Sequence, residues 1–187
     1  MQKLTAAEIE HVKAITNTGE LYYDYDPLIE QARNYAYAAC RQFNQTYLTQ
    51  ADPHYEWLQA LFATCGTDFT VGYGFITEFG FNLHIGNNFH AGKNLKIIDC
   101  NRVVIGDNVT LGDNVGIYTS NHAFDAEKRA QHWCSELPIT IGDNTIVETG
   151  CTIVPGTTIG SNCLIKAGSV VRATIADNTI VSGVPAH

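Results

Sequence analysis

The side chains of this sequence that can do chemistry near neutral pH are its seven histidines and six cysteines. One of them is marked by where it stands. His122 closes the stretch Ile117-Tyr118-Thr119-Ser120-Asn121-His122, where a strict six-residue pattern stops; the pattern resumes only past Pro138. An imidazole at the root of such an interruption is either a working group offered to a second surface or a solvated loop side chain. The residue types leave both readings open. His132, deeper in the interruption, reads as solvated. His84 and His90 flank Ile85 and face outward, with His90 able to line a groove. His11, His54 and His187 have no suggestive neighbours. The cysteines, at 40, 65, 100, 134, 151 and 163, contain no Cys-x-x-Cys pair. They read as reduced thiols, several packed as small core residues, rather than as a metal or redox site.

What must position His122 is the repeat itself. Phe79, Ile85, Ala91 and Ile97 recur every six residues. A second series is stricter: Ile105, Leu111 and Ile117, then Ile141, Val147, Ile153, Ile159, Ile165 and Val171. Four residues after most of these comes a small or apolar side chain, as at Val109, Val115, Thr145, Cys151, Thr157, Cys163 and Ser169. Gly-Asp-Asn at 106–108, 112–114 and 142–144, and Gly-Ser-Asn at 160–162, supply residues that tolerate the positive φ of tight corners. Six is not a helical period, and hairpin strands would alternate without this regularity. A solenoid satisfies it: each hexapeptide gives one short strand and one corner, three make a triangular coil, and two apolar positions point inward. None of the glycines opens a phosphate loop, which would need a following helix with Lys-Ser or Lys-Thr.

Ahead of the repeat the period is helical. Thr5-Ala6-Ala7-Glu8 has the form of a capping box, and Asp26-Pro27 and Asp52-Pro53 both read as helix starts. Ile29, Ala32, Ala36, Cys40 and Phe43 trace one apolar face, and Leu58, Leu61 and Cys65 another. The expected fold is mainly β: a parallel β-helix over 66–187 with a helical cap over 1–65. Continuing the repeat through the interruption would bury Arg129 and Glu127, so the chain must leave the coil near Thr119 and return near Pro138. A loop of that length in a compact domain is usually functional or disordered. Phe124, Trp133 and Leu137 suggest that it docks against a neighbouring surface.

A formal charge of −8 argues against nucleic-acid or anionic-membrane partners, which need clustered Lys and Arg. No apolar run is long enough to span a bilayer, and Met1–Lys13 lacks the apolar stretch of a secretion signal, so a cytoplasmic location is expected.

The sequence resembles the maltose/galactoside O-acetyltransferase group of the hexapeptide-repeat acyltransferases along nearly its whole length. GELYYDYDPLIEQAR (19–33) is similar to the helical cap motif of that group. GFNLHIGNNFHAG (80–92) looks like its first coil, and YTSNHAFDAEKR (118–129) like its catalytic segment. The conjunction of cap, extruded loop, His-containing segment and Gly-Val-Pro-Ala ending (183–186) is specific; isolated hexapeptides are not.

The resemblance implies a left-handed parallel β-helix assembled as a homotrimer with sites between subunits. It implies acetyl-CoA as co-substrate, no metal, and direct transfer to a hydroxyl of a small acceptor, a sugar by analogy. His122 falls on the family's catalytic histidine as general base, with Glu136, Asp125 or a backbone carbonyl as candidates to orient it. Asp24 and Cys100 match acceptor-binding positions, with His90 placed beside them as a groove-lining residue. The turn at Thr149-Gly150 matches the backbone donor to the oxyanion and Ala167 the small residue beside the pantetheine; Arg172-Ala173-Thr174 stand where the group reads Thr-Lys-Asp, so Arg172 is expected to take over the cationic contact to CoA phosphate. There are departures. Gly92-Lys93 stand where the group reads Asn-Phe, Cys100 replaces an acid, and the sequence ends at His187 where the group continues with an Arg-containing tail. These departures detach the acceptor from galactosides or maltose and keep a catalytically inactive scaffold as an alternative. A third reading, a zinc enzyme of carbonic-anhydrase type, would need His84, His90 and His122 to converge between subunits.

Overall fold

The computed structural model describes residues 2–187. Helix α1 (Ala6–Thr16) begins with the expected capping box. Thr5 Oγ1 accepts from the Glu8 N–H at 3.3 Å, and Glu8 Oε2 accepts from the Thr5 N–H at 2.7 Å. Helix α2 (Pro27–Thr49) is capped by Asp26, whose Oδ1 accepts from the Leu28 and Ile29 N–H groups. Its buried residues Ile29, Ala32, Ala36, Cys40, Phe43 and Thr46 recur at three or four and press one stripe against the first coils. The third helix start does not propagate. Asp52 accepts from the His54 N–H at 2.9 Å, His54 takes φ +58°, and only a single turn, α3 (Glu56–Gln59), follows. A left-handed residue two positions into the expected helix breaks it.

The repeat closes into a prism of three parallel sheets. The first side stacks Thr64–Cys65, Leu83–Ile85, Val103–Ile105, Ile139–Ile141 and Thr158–Ile159. The second stacks Thr70–Val71, His90–Ala91, Thr110–Leu111, Ile146–Val147, Leu164–Ile165 and Ile180–Val181. The third stacks Ile76–Thr77, Lys96–Ile98, Gly116–Tyr118, Thr152–Ile153 and Val170–Val171. Every rung hydrogen-bonds the coil above and below, so pairable backbone edges are left at the two ends. The first rung, Thr64–Cys65, falls within the 1–65 range expected for the cap.

The inward positions are as the period dictates, with Ile105, Leu111, Ile117, Ile141, Val147, Ile153, Ile159, Ile165 and Val171 all buried. Thr145, Thr157 and Ser169 are buried too, their hydroxyls donating to the carbonyls of Gly160, Val171 and Lys166. Corner asparagines take left-handed φ, +57° at Asn108, and stack between coils: Asn88 donates to Asn108, and Asn108 to Asn144, each at 3.0 Å. One member of the series is displaced. Thr77, not Phe79, stacks on Ile97, because the first coils repeat every twenty residues rather than eighteen (Ile76↔Lys96↔Gly116). Phe79 sits in the wider corner and joins the apolar layer under the cap, stacked on Phe81 at 5.1 Å.

The interruption is as wide as a coil. Val104 pairs with Thr140, thirty-six residues on, whereas Thr140 pairs with Thr158 after eighteen. The extra chain is a folded flap at the corner between the third and first sides.

Candidate active site

The flap is built as one antiparallel sheet with the cap. Ser120–His122 pairs with Trp133–Glu136, which pairs in turn with Tyr22–Tyr23 of the cap. The register sets His122 opposite Cys134 opposite Tyr22, and Ser120 opposite Glu136. Side chains alternate across a sheet, so Ser120, His122, Cys134, Glu136 and Tyr22 share one face while Asn121, Ser135, Trp133 and Tyr23 share the other. Between the two flap strands, α4 (Ala126–Ala130) is capped by Asp125, which accepts from the Lys128 N–H at 2.9 Å. Arg129, which could not enter the prism, donates to the Ala123 and Phe124 carbonyls at 3.1 and 2.9 Å and closes the turn.

On the shared face, His122 is exposed, Ser120 is half-buried, and Cys134, Glu136 and Tyr22 are buried. Its Nδ1 lies 3.4 Å from Cys134 Sγ. Glu136 Oε1 accepts from Tyr22 Oη at 2.8 Å and from Ser120 Oγ at 2.9 Å, while Oε2 is buried without a partner. Burial pushes the Glu136 carboxyl up to about 7 against those two hydrogen bonds, with Asp24 and Glu78 adding to the rise. Next to it, Arg33 Nη2 donates to both Asp24 oxygens at 2.8 and 3.1 Å and its Nε to Glu78, which also accepts from Tyr37. The Asp24 N–H donates to the His132 carbonyl at 3.0 Å, a further tie between cap and flap. Below this layer Asp99 accepts from Thr77 Oγ1 and from the Glu78, Phe79 and Gly80 N–H groups at 2.7–3.0 Å. Its burial raises the carboxyl to about 6 even so.

The expected site residues fall into three places. Asp24, Cys100 and His122 gather at the flap corner. Cys100, expected to touch the acceptor, is 3% exposed in the apolar layer with Tyr22, Phe79 and Cys134, beneath the site rather than at its surface. Arg172 is exposed at the same corner of the prism, two coils further along. His90 is on the second side, both ring nitrogens engaged: Nδ1 with Thr70 Oγ1 at 2.7 Å and Nε2 with Asn88 Oδ1 at 2.7 Å. Thr149, Gly150 and Ala167 line the corner between the second and third sides. There the Gly150 N–H donates to Asp113 at 2.8 Å and the Ala167 N–H to Glu148 Oε2 at 2.9 Å. Most corner glycines touch the next coil, but beyond Gly150 and Gly168 there is open space: the nearest atom to a Cβ at Gly150 is 3.9 Å away, and none lies within 4 Å at Gly168. That bare corner has room for a narrow extended chain.

Of the three candidates to orient His122, Glu136 is engaged by Tyr22 and Ser120, and Asp125 caps α4. Cys134, Tyr22, Ser120, Arg33 and Glu78 went unnoticed in the sequence. The signal available for the first and third was the alternation in Ser120-Asn121-His122 and Cys134-Ser135-Glu136, legible once the flap is known to be a hairpin. Among the described residues, no group of three or more His, Cys, Asp or Glu is arranged to hold a metal ion. His84 and His90 lie on different sides of the prism from each other and off the flap corner.

Residues 138–173 match the bacterial transferase hexapeptide (six repeats) family, 17–66 the maltose acetyltransferase hexapeptide capping motif, and 102–120 the hexapeptide repeat of succinyl-transferase. The galactoside O-acetyltransferase of Lactococcus lactis is 31% identical over 184 residues, covering 95% of this chain and 86% of that protein. Two solved structures are similar throughout. A maltose O-acetyltransferase from Clostridium difficile 630 superposes with a TM-score of 0.88 at 36% identity, over 96% of this chain and 94% of its own. A galactoside acetyltransferase in complex with coenzyme A gives 0.86 at 32% identity, over 99% and 90%. With the galactoside O-acetyltransferase of Escherichia coli the match is shorter, 38% identical over 69 residues, 37% of this chain. By this match and a similar one to a yeast protein, the chain spans about a third of the length of those curated relatives (34% and 36%). The fold is that of the left-handed parallel β-helix transferases with a helical cap. The chain belongs to the hexapeptide-repeat acetyltransferases, in the group that holds the maltose and galactoside O-acetyltransferases.

Proposed function

We propose that this protein is an O-acetyltransferase that moves acetyl from acetyl-CoA directly to a hydroxyl of a small acceptor, a sugar by analogy with its relatives, with His122 as general base. The observation that carries this is the exposed His122 on a flap tied to the cap by the buried Tyr22–Glu136 hydrogen bond, in a chain that aligns end to end with acetyltransferases. A hydroxyl is a poor nucleophile. As its oxygen attacks the thioester carbonyl its proton passes to the imidazole, and the tetrahedral oxyanion then collapses with cleavage of the C–S bond. The departing CoA thiolate takes the proton back from the imidazolium, so no acyl-enzyme is needed.

The donor corner supports the same reading. Bare glycines at 150 and 168 and the small exposed Ala167 leave a shelf for the pantetheine arm, and Arg172 is the cation assigned to a CoA phosphate. With the Gly150 N–H engaged by Asp113, the oxyanion donor assigned to this turn is the Thr149 N–H. Asp24 and His90 are assigned to the acceptor, and Cys100 to the floor beneath it. Thr149, Gly150 and Ala167 occupy a different corner of the prism from His122 and Asp24, separated by one side whose six residues reach at most about 20 Å. A homotrimer, in which the flap corner of one subunit meets the glycine corner of the next, completes the site. The described residues contain no helix long and apolar enough to cross a membrane, and a cytoplasmic location fits a CoA thioester substrate.

The test is thioester loss from acetyl-CoA, followed by absorbance against sugars, amino sugars, serine and chloramphenicol. Acceptor-dependent loss that disappears in His122→Ala is the expected result. Absence of both turnover and calorimetric acetyl-CoA binding would favour a scaffold that has lost catalysis.

A further inference from the structure

We infer that the Cys134 thiol is the positioning residue for His122, holding the Nδ1 side of the ring so that Nε2 faces the acceptor hydroxyl. The inference rests on the reading of His122 as the base. The contact is built into the backbone. His122 and Cys134 are paired across the flap hairpin, and paired residues of antiparallel strands point to the same face with Cβ atoms about 4.5–5.5 Å apart. Sγ lies 3.4 Å from Nδ1, and Cys134 is 3% exposed in the layer that contains Tyr22, Ile29, Ala32 and Cys100. Sγ is therefore held in place by the cap, and the exposed ring is the movable partner.

A thiol beside an imidazole can act in two ways. As a nucleophile it must ionise, as in Cys–His enzymes. The surroundings here oppose that. Burial pushes the Cys134 thiol up to about 11, the carboxylates of Asp24 and Glu136 push in the same direction, and Arg33 offsets them only in part. The remaining groups packed on this face, Tyr22 and Cys100, are themselves held neutral by burial. A neutral thiol is both a weak donor and a weak acceptor. Accepting from Nδ1–H, it leaves the Nε2 lone pair free to take a proton. Donating S–H to Nδ1, it places the proton on Nε2 and blocks base work. Cys134 therefore fixes where the ring sits more firmly than it fixes which nitrogen is protonated.

The experiment compares the full-length wild type with Cys134→Ser and Cys134→Ala, first by the 15N shifts of the His122 ring, which need no acceptor. Loss of the thiol should return the ring shifts to those of a freely solvated histidine, while the serine variant keeps them distinct. Identical ring shifts in all three proteins overturn the inference. In turnover, Cys134→Ala should lower kcat about 3- to 10-fold, the scale of one modest hydrogen bond, with KM for acetyl-CoA unchanged and most of the loss recovered by serine. An acetyl group on Cys134 after incubation with acetyl-CoA, discharged on adding acceptor, also overturns it by making the thiol a nucleophile. If His122→Ala keeps full turnover, the base reading itself fails; if that variant is dead but Cys134→Ala matches wild type in both kcat and ring shifts, only the present inference fails.

Discussion

His122 is the exposed end of a row that runs inward through Cys134 to Tyr22, and its neighbours are buried groups that cannot turn away from it. Replacing it with alanine should leave folding intact and lower turnover by about 10²–10⁴, the usual scale for a general base. Wild-type turnover in that variant would remove the assignment. Arg172 is exposed at the flap corner, two coils beyond His122, so its replacement by alanine should act on binding rather than structure. The expected effect is a raised KM for acetyl-CoA at unchanged kcat; an unmoved KM would put the phosphate contact elsewhere. At this scale the interruption at His122 was legible because the repeat stops there, while the residue types left the role of the imidazole open. Cys134 was not, because a single cysteine in a polar stretch carries no spacing signal until a strand register pairs it with something.

The element that positions His122 is the three-stranded sheet joining flap to cap, and its tie is Glu136. A carboxyl raised to about 7 holds its proton in the folded protein through a range where the unfolded chain has already lost it. Its contribution to stability is thus greatest in acid, below the ordinary carboxylate range near 4.5, and is lost as pH rises through about 7. Tyr22 and Ser120 face it as donors, and Asp24, Glu78 and Cys100 are the titratable groups around it, so the clean comparison is with Glu136→Gln. Thermal unfolding from pH 5 to pH 8 should show the glutamine variant gaining on wild type as pH rises. A constant difference across that range would mean that Glu136 is ionised throughout. Two elements were read differently from the sequence for physical reasons. The Asp52-Pro53 helix start fails because His54 adopts a left-handed φ, and Phe79 leaves the six-residue series because the early corners carry two extra residues.

On the scale of the whole molecule, the prism separates the flap corner from the glycine corner, and a rigid solenoid cannot bend to join them. A site shared between subunits predicts complementation. Trimers mixed from His122→Ala subunits and subunits blocked at the donor corner by Ala167→Trp should regain about a quarter of the wild-type sites, since each site draws one corner from each of two copies. Recovery no greater than the sum of the separate variants, or sedimentation as a stable monomer, would rule out a shared site.

By itself the sequence determined the solenoid, the cap and the place where the flap leaves. Those follow from periodicity, capping chemistry and the cost of burying Arg129 and Glu127, all of which are local along the chain. Only the tertiary structure decided that the flap is a hairpin completed by Tyr22–Tyr23, that Cys100 lies under the site, and that Cys134 rather than an acid meets His122. Each of these depends on register between segments far apart in sequence. A shift of one residue would turn His122, Cys134 and Glu136 to the opposite face, and composition carries no record of that choice.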